Sequence, residues 1–458
     1  MLDLTSHVEG IVWPPFPGQE AMAVQAILFQ LEHSQWYSTA QIEALQRRQL
    51  LALIKHAREA VPFYRDRLAG FDLERFESFD DEAWRAVPRL VRTEIQDAGD
   101  GIYSKKVPRS HGRIGTVFTS GSTGKPIRVL RTQMAGFYRS ALTMRDHIWH
   151  RRDMTGKLAA LRDATKGKHV YPEGTVANGW SGITRSIFRN GPGVGLNVNT
   201  PVPQQVEWLQ RHDPDYILGF PTIIRSIAEY CIEHGITFGK LKQVETISEV
   251  LPPDVRELCQ RAWGVKAVDL YSSRDVGYLA LECPEHPVLH VSAETTLLEV
   301  LDEEGRRCKP GEIGKVVVTP LQNFAMPLIR YEIGDYAEVG EPCACGRGLP
   351  VLKRVMGRVQ NQVRLPDGVT RWPLLTTGDI ESLLEIAPIR QYQIVQKSYE
   401  TMEVRLVCDP PLDAAQTEKL DRWVAEKFHR PFEVELRYFE EIPRTASGKF
   451  FDFLCEVT

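Results

Sequence analysis

The sequence predicts an α/β protein that consists of a large N-terminal multi-sheet domain and a small α+β C-terminal domain. Its 458 residues, 43% of them hydrophobic, are enough for several packed cores, so two or more domains are expected. Helical and strand patterns alternate over residues 206–270, which indicates a parallel sheet whose ligand site lies at the carboxyl ends of the strands. From about residue 362 short strands and helices follow in a mixed order. We therefore predict one domain over 1–357 and a second over 358–458.

Composition excludes several classes of partner. The chain has 56 basic and 60 acidic residues and a formal charge of −4, so it has no global attraction to nucleic acid or to an anionic membrane. The first residues, MLDLTSHVEG, do not read as a signal peptide, and no apolar run approaches the roughly 18 to 20 residues that cross a bilayer. We expect a soluble cytoplasmic protein that acts on small molecules, without a nucleic-acid or membrane partner; a homodimer is left open.

The first 100 or so residues are predicted to be helical. The clearest case is 41–68, where leucines such as Leu50 and Leu53 recur at intervals of three and four residues. Pro62 interrupts this pattern, because proline disfavours a helical conformation of the residue before it. A second helix is predicted over 134–151.

The stretch TSGSTGKP at 119–126 is predicted to hold phosphate. It follows a strand-forming run at 114–118, and its two glycines let backbone N–H groups approach an anion closely. A Walker loop would need a hydroxyl residue directly after the lysine and a longer glycine spacing, whereas here Pro126 follows the lysine. A flexible surface turn remains the alternative. The predicted phosphate ligands are Thr119, Ser120, Gly121, Ser122, Thr123, Gly124 and Lys125.

Two regions are candidates for the substrate pocket. Phe137 and Tyr138 lie on the helix predicted after the phosphate loop, where aromatic side chains belong to a core more often than to a pocket. Residues 164–200 are rich in Gly, Asn, Thr and Pro, and irregular segments of this kind often shape a substrate site. We expect 164–200 to be the most irregular part of the large domain.

Two further residues have the chemistry of a nucleotide site. The carboxylate of Asp335 can accept two hydrogen bonds from a ribose diol, and the preceding glycine permits close approach, although a simple hairpin turn would also use Gly-Asp. Lys449, in the polar stretch PRTASGK, is a compact cation able to bridge a carboxylate and a phosphate. Taken alone, a lysine near the end of a chain is usually a solvated surface residue.

In this order, TSGSTGKP, YSSRDVG, LIRYEIGDYAEVG and PRTASGK resemble the motifs of the adenylate-forming superfamily of acyl- and aryl-CoA synthetases, nonribosomal adenylation domains and luciferases. The stretch AREAVPFYRDRL resembles the phenylacetate-CoA ligases and their capsule-biosynthesis relatives. The resemblance covers nearly the whole chain. It implies a large adenylate-forming domain and a small, mobile C-terminal lid that carries the catalytic lysine.

The resemblance also assigns roles to individual residues. Glu249, in SEVLPP, and Tyr271 border adenine; Asp335 and Arg358 contact ribose; and Asp275 holds Mg²⁺. Lys449, Asp275 and Lys125 form the catalytic set.

The chain departs from the family pattern at several positions. Ser272 replaces the usual glycine, Arg274 replaces a hydroxyl residue and Asp275 is one methylene shorter than glutamate. Mg²⁺ accepts either carboxylate but demands octahedral geometry, so the ion could sit differently or bind through water. At the expected hinge, Gln360 and Asn361 stand where the family has an acid.

A group of cysteines and histidines predicts a structural zinc site. Two thiols separated by one residue, and a cysteine and histidine seven residues apart, can supply four ligands for tetrahedral Zn²⁺. The patterns ECPEHPVLH and PCACGRGLP resemble the zinc hairpins of the phenylacetate-CoA ligase branch, which favours Cys283, His290, Cys343 and Cys345. His286 is the alternative fourth ligand, and a site without metal is the remaining alternative.

The resemblance implies ATP-dependent adenylation of a carboxylic acid, aromatic or arylalkyl, to an acyl-AMP and pyrophosphate, followed by transfer to CoA. ATP, Mg²⁺ and CoA are thus the expected cofactor and substrates, with Zn²⁺ in a structural site. Two alternatives stay open. One is an adenylating enzyme whose acceptor is an amine, a carrier protein or another nucleophile, and the other is a non-catalytic nucleotide-binding relative.

Overall fold

The structure of the chain is a computed structural model, which describes residues 4–77, 81–118, 127–162, 168–358, 363–366, 370–371, 377–428, 430–443 and 450–457. The predicted α/β class is confirmed, with a large mixed sheet in the N-terminal part and a small sheet near the C-terminus. Within the described residues, no helix combines the length and apolar character needed to cross a membrane.

The helices of the described residues are α1 (Gln19–Ser34), α2 (Thr39–Ala60), α3 (Pro62–Arg67), α4 (Leu73–Glu77), α5 (Asp81–Arg85), α6 (Arg92–Ala98), α7 (Gln133–Trp149), α8 (Gly182–Ile187), α9 (Val202–His212), α10 (Pro221–Glu233), α11 (Pro253–Trp263), α12 (Thr377–Leu384) and α13 (Ala414–Lys427). The helical segment predicted over 41–68 forms two helices that divide at Val61, directly before Pro62, where the interruption was predicted. Ser38 caps α2 by accepting a hydrogen bond from the Gln41 N–H, and the Gln41 side chain completes a capping box.

The strands are β1 (Ile114–Phe118), β2 (Arg128–Thr132), β3 (Leu158–Arg162), β4 (Thr175–Ala177), β5 (Gly193–Asn197), β6 (Tyr216–Gly219), β7 (Gln243–Ile247), β8 (Lys266–Ser273), β9 (Gly277–Glu282), β10 (Leu289–Val291), β11 (Thr296–Leu301), β12 (Ile313–Pro320), β13 (Tyr331–Val339), β14 (Val351–Arg358), β15 (Val363–Arg364), β16 (Thr370–Arg371), β17 (Ile389–Gln396), β18 (Thr401–Cys408), β19 (Glu433–Tyr438) and β20 (Phe453–Cys455). Because β4, α8 and β5 lie within 164–200, that region is more regular than expected.

A twelve-stranded sheet dominates the large part of the molecule. Its order is β11-β12-β13-β14-β10-β9-β8-β7-β6-β3-β5-β4, and β3, β5, β6, β7 and β8 run parallel. The helices that connect β5, β6, β7 and β8 pack on one face, where they form an apolar core with buried side chains such as Trp208, Ile224 and Val244. Since parallel neighbours end at the same edge, the loops after β6, β7 and β8 meet in one crevice, as the alternation predicted.

The small C-terminal sheet has the order β19-β18-β17-β20 and a core of its own. Helix α13 is capped by Asp413, whose side chain accepts a hydrogen bond from the Gln416 N–H, and it packs Leu420 and Val424 into this core. The predicted joint to the large part follows Gly357, which has a φ of 92° that only glycine adopts without strain. The boundary between residues 357 and 358 stays a prediction.

Candidate active site

Tyr271 and Asp335, predicted to contact adenine and ribose, lie side by side in the crevice. Tyr271 Oη donates a hydrogen bond to Asp335 Oδ2 over 2.9 Å. Tyr271 lies on β8 and Asp335 on β13, and three strands separate β8 from β13 in the sheet order. The sheet therefore curls strongly enough to bring the two side chains together. Gly334, before Asp335, has a φ of 85°, a left-handed conformation that suits glycine.

Glu249 follows β7 and contacts the first turn of α10. Its Oε2 accepts hydrogen bonds from the Thr222 N–H (3.1 Å) and the Thr222 hydroxyl (2.8 Å). A helix leaves its first N–H groups without helical partners and carries a partial positive charge at that end, so a carboxylate is stabilised there. Ser248, directly before Glu249, has a φ of 72°, a conformation that is uncommon for residues other than glycine and that occurs often at functional sites.

The C-terminal part of the chain reaches the same carboxylate. The Phe450 N–H donates a hydrogen bond to Glu249 Oε1 over 2.8 Å, and Phe450 is buried. Phe450 directly follows Lys449, the predicted catalytic lysine, which itself lies outside the described residues. The segment after the lysine loop is thus anchored at the crevice.

Asp275, the predicted magnesium ligand, is partly buried between two residues. Tyr331 Oη donates a hydrogen bond to Asp275 Oδ2 over 2.9 Å, and Arg92 Nη1 lies 3.5 Å from the same oxygen. Burial, and next the neighbouring Asp275 charge, raise the pKa of the Tyr331 hydroxyl, so it stays a donor at neutral pH. Arg92 belongs to α6, far upstream, and the sequence motifs did not indicate it.

Arg131 adds a second cation that the sequence motifs did not assign to the site. Its guanidinium donates to the Arg274 carbonyl, which fixes it beside the loop that carries Asp275. Burial and then the like charge of Arg139 lower the pKa of Arg131, while Asp275 opposes that shift. The positive charges of Arg131 and Arg139 suit an anionic ligand. The sequence did contain a signal for placing Arg131 at the site, because this residue lies on β2, the strand that directly follows the predicted phosphate loop.

Several predicted residues are not described. Thr119 to Lys125 and Lys449 lie outside the described residues, as do Gln360 and Asn361 at the expected hinge. The backbone of Arg358 pairs with that of Asp335 in the antiparallel ladder of β13 and β14, which puts the two predicted ribose residues opposite each other.

The structure brings together the four favoured zinc ligands. The ligand atoms of Cys283, His290, Cys343 and Cys345 all lie within 4.8 Å of one another. Cys343 Sγ is 3.8 Å from Cys283 Sγ, and Cys345 Sγ is 3.3 Å from His290 Nε2. His286, the alternative, does not belong to this group.

This donor set fits Zn²⁺. With Zn–S bonds of about 2.3 Å, two thiolates of a tetrahedral site lie about 3.8 Å apart, as Cys283 and Cys343 do. Burial lowers the pKa of His290 to about 4, so its imidazole is neutral, the form that binds a metal. The two pairs of ligands come together because β10 pairs with both β9 and β14.

A second group of possible ligands is an ion network instead of a metal site. Asp146, His147 and Glu245 are buried together. The guanidinium of Arg152 lies among them: it contacts Asp146, donates to His147 Nδ1 at 2.9 Å and lies 3.4 Å from Glu245. A buried cation in this position compensates the charge of the carboxylates, and the network links α7 to β7 of the sheet.

Both aromatic residues considered for the substrate pocket, Phe137 and Tyr138, pack against the core formed by α1, α7 and α8. Phe137 borders a cleft of about 470 Å³ that it shares with Gly136 and Ser140 of α7 and Gly182 and Ile183 of α8.

Comparisons with known proteins agree with this fold. Residues 103–325 match a family model described as AMP-binding enzyme, and residues 375–453 match one described as the CapK C-terminal domain. The phenylacetate-coenzyme A ligase of Thermus thermophilus is 26% identical over 416 residues, which cover 85% of this chain and 86% of that protein. Protein CapK of Staphylococcus aureus is 22% identical over 396 residues, 79% of this chain and 78% of that protein.

A crystal structure of 2-hydroxyisobutyryl-CoA ligase with 2-HIB-AMP, in its postadenylation state, superimposes with a TM-score of 0.70 at 19% identity, covering 90% of this chain and 89% of that one. This likeness shows the fold. The fold, the crevice and the two matched models define an adenylate-forming enzyme, one of the AMP-forming ligases. Within that class, the two matched models and the phenylacetate-coenzyme A ligase and CapK relatives support the branch of the phenylacetate-CoA ligases and CapK-like proteins.

Proposed function

We propose that the protein adenylates a carboxylic acid with ATP, releasing pyrophosphate, and then transfers the acyl group to CoA. The observation that carries this proposal is the convergence of both parts of the molecule on one crevice. Tyr271 and Asp335 meet on the large sheet, and Phe450, next to Lys449, is bound to Glu249 at the same edge.

In the first half-reaction a carboxylate oxygen attacks the α-phosphorus of ATP, and the bond from that phosphorus to the bridging oxygen of pyrophosphate breaks. The chemistry needs little acid or base assistance, so the protein contributes positioning and charge neutralisation. Asp335 would accept hydrogen bonds from the ribose, and Tyr271, which donates to Asp335, would hold that carboxylate in place against adenine.

Cationic side chains would balance the negative charge of the triphosphate and the acid. The 119–125 loop with Lys125 would bind the β- and γ-phosphates, and Lys449 would lie between the α-phosphate and the reacting carboxylate. Arg131 lies on the strand after that loop and beside Asp275, where an anion would compensate the charges of Arg131 and Arg139.

Asp275 would hold Mg²⁺. The ion commonly binds one or two protein carboxylates and takes its other ligands from phosphate and water, so a single partly buried carboxylate at the crevice fits. Bound Mg²⁺ would offset phosphate charge. The four-residue Cys/His group would hold Zn²⁺ as a structural ion, since all four tetrahedral positions are filled by protein ligands.

In the second half-reaction the thiol sulfur of CoA attacks the acyl carbon. The bond to AMP breaks, AMP leaves and the thiol proton passes to solvent. The acid is proposed to be aromatic or arylalkyl, as the names of the phenylacetate-CoA ligases suggest for those relatives. An apolar group on the sheet face opposite α10, including Leu218, Trp180 and Ile247, is consistent with such a side chain.

The test is acid-dependent exchange of labelled pyrophosphate into ATP across a panel of aryl, arylalkyl and short aliphatic acids. We expect pyrophosphate exchange into ATP with at least one arylalkyl or aromatic acid. With the same acid, we expect AMP to be released when CoA is added. Binding of ATP without exchange for any acid would favour a non-catalytic relative. AMP release with amines, but not with CoA, would indicate that the enzyme forms amides. Amide formation is the second candidate function because the YSSRD motif departs from the family pattern.

A further inference from the structure

One face of α10 connects the crevice to the C-terminal sheet through an ion pair. Thr222, which holds Glu249, lies at the start of this helix, and Arg225 lies one turn further on. Arg225 Nη1 is 3.4 Å from Asp452 Oδ2, and Arg225 Nη2 is 2.9 Å from Asp254 Oδ2. Arg225 thus joins a carboxylate of the large part, on α11, to one that follows the lysine loop.

These charges are largely removed from water. The Arg225 side chain is 12% exposed and that of Asp254 is 8% exposed. Asp452 is more accessible at 24%, but its Oδ1 is buried and has no hydrogen-bond partner within the described part of the chain. Because partly buried ion pairs are screened less than surface pairs, the contact of Arg225 with Asp452 is less sensitive to salt than an exposed salt bridge.

The C-terminal sheet contributes a third group to this contact. Tyr392, on β17, is buried, and burial together with the charge of Asp452 raises its pKa, so the phenol remains neutral. Arg225 is therefore the group within this cluster that compensates Asp452. If the guanidinium were removed, Asp452 would keep a partly buried charge without its cation.

The position of Asp452 gives the ion pair a direct relation to the predicted catalytic lysine. Asp452 lies three residues after Lys449, and Phe450 between them is held by Glu249. Two anchors on residues 450 and 452 define both the position and the direction of the chain that leaves the lysine loop. We propose that Arg225 is a positioning residue for the adenylation half-reaction, because through Asp452 it holds the segment directly after Lys449 at the crevice.

The same geometry allows release. Arg225 keeps its 2.9 Å contact with Asp254 when Asp452 is withdrawn, so the guanidinium does not become an isolated buried charge. Asp452 would gain solvent. Withdrawal of the C-terminal part would therefore replace the ion pair between Arg225 and Asp452 by hydration of Asp452. If Asp452 were the single partner of Arg225, the withdrawal would leave a buried guanidinium without a counter-charge. A contact of this kind suits a segment that is needed in one half-reaction and withdrawn for the other.

This inference rests on the proposed function, and the two half-reactions test it separately. Asp452→Asn keeps the side-chain shape and removes the charge, and Arg225→Gln removes the cation. We expect each to lower the kcat of pyrophosphate exchange about tenfold, between the effects of losing an exposed and a buried charge pair. Thioester formation from supplied acyl-adenylate and CoA should stay within about twofold of the native rate.

Asp452→Glu should restore most of the adenylation rate, because it retains the carboxylate. Arg422→Ala, which breaks an exposed pair with Glu418 on α13 of the same C-terminal part, is the matched control and should change neither rate. Equal losses in both half-reactions, or no loss in either, would overturn the positioning role.

A readout independent of activity covers the case in which the proposed function fails. Amide hydrogen exchange of the segment 450–457 should be about tenfold faster in Asp452→Asn, since the Phe450 N–H loses its fixed position against Glu249. Exchange in β18, in the same sheet, should be unchanged. Native protein that shows no pyrophosphate exchange with any acid would refute the proposed function. Unchanged exchange of 450–457 in the variant would refute the anchoring by Arg225.

Discussion

Replacing Glu249 by glutamine should loosen the C-terminal part from the crevice and leave the fold intact. Among the described residues, the native carboxylate accepts two hydrogen bonds at Oε2 from Thr222 and one at Oε1 from the Phe450 N–H. Glutamine has a single acceptor oxygen, and its second position is an NH₂ donor. If the oxygen keeps the two bonds from Thr222, the NH₂ group faces the Phe450 N–H, and two donors oppose each other.

The size of the effect follows from this loss. A hydrogen bond to a charged group contributes about 1.5 to 3 kcal/mol. The equilibrium between the bound and released C-terminal segment should therefore shift by roughly 10- to 100-fold toward release. Both contacts with Thr222 lie within the large part, so the free energy of unfolding should change much less than this equilibrium.

Two measurements check the prediction. Amide exchange of 450–457 should accelerate, and the rate of pyrophosphate exchange should fall. Thr222→Val is the control, because it removes one donor to Glu249 but leaves the bond from Phe450. If Glu249→Gln lost adenylation while the 450–457 segment exchanged as slowly as in the native protein, Glu249 would act on the nucleotide alone and the reasoning would be wrong.

Three further predictions concern the structural groups around the site. Cys343→Ser should abolish the stoichiometric zinc that we expect metal analysis to detect, and it should lower the melting temperature. Cys408→Ser, outside the ligand group, is the control and should retain the metal. Zinc retained by Cys343→Ser would contradict the predicted site. Arg330→Met should lower the free energy of unfolding, measured by chemical denaturation, by about 3 to 5 kcal/mol. The reason is that the buried Arg330 donates to three backbone carbonyls and lies 3.4 Å from the buried Glu299. A loss under about 1 kcal/mol would contradict this prediction. His147 accepts a hydrogen bond from Arg152, and burial lowers the pKa of its imidazole to about 3. Below pH 6.5 the folded state therefore binds fewer protons at this residue than the unfolded state does. The stability that the neutral imidazole contributes is present above pH 6.5 and is lost as the pH falls. The destabilisation caused by His147→Gln should thus shrink by about 1.5 kcal/mol from pH 6.5 to pH 5, and a pH-independent difference would refute the assignment.

Much of the local structure could be predicted from the sequence. The alternation of patterns over 206–270 predicted β6, β7 and β8 with their helices, because hydrophobic periodicity and the prolines that begin α10 and α11 are local signals. The helical pattern over 41–68 and its interruption at Pro62 could also be predicted, and the structure divides this segment at Val61, because the conformational restriction before a proline is a local signal.

The Cys/His group shows how much of a metal-ligand set can be predicted from the spacing of residues along the chain. Cys343 and Cys345 were certain to lie close together, but His286 and His290 were both within reach of Cys283 along the chain. His290 belongs to the group because it lies on β10, opposite Val351 of β14, and β14 follows the two cysteines. Strand register, a property of the folded sheet, decided between them.

By itself the sequence determined the kinds of chemistry present: a glycine- and hydroxyl-rich loop, a Gly-Asp turn, a lysine near the C-terminus and paired thiols, because each is a short stretch whose residue types have direct chemical meaning. Only the tertiary structure decided which distant side chains meet. The pairs Tyr271–Asp335, Arg92–Asp275 and Arg225–Asp452 join residues 64, 183 and 227 positions apart. Contacts of that range arise from the curl of the sheet and from the way the C-terminal sheet packs against α10, and neither leaves a pattern in any single stretch of the chain.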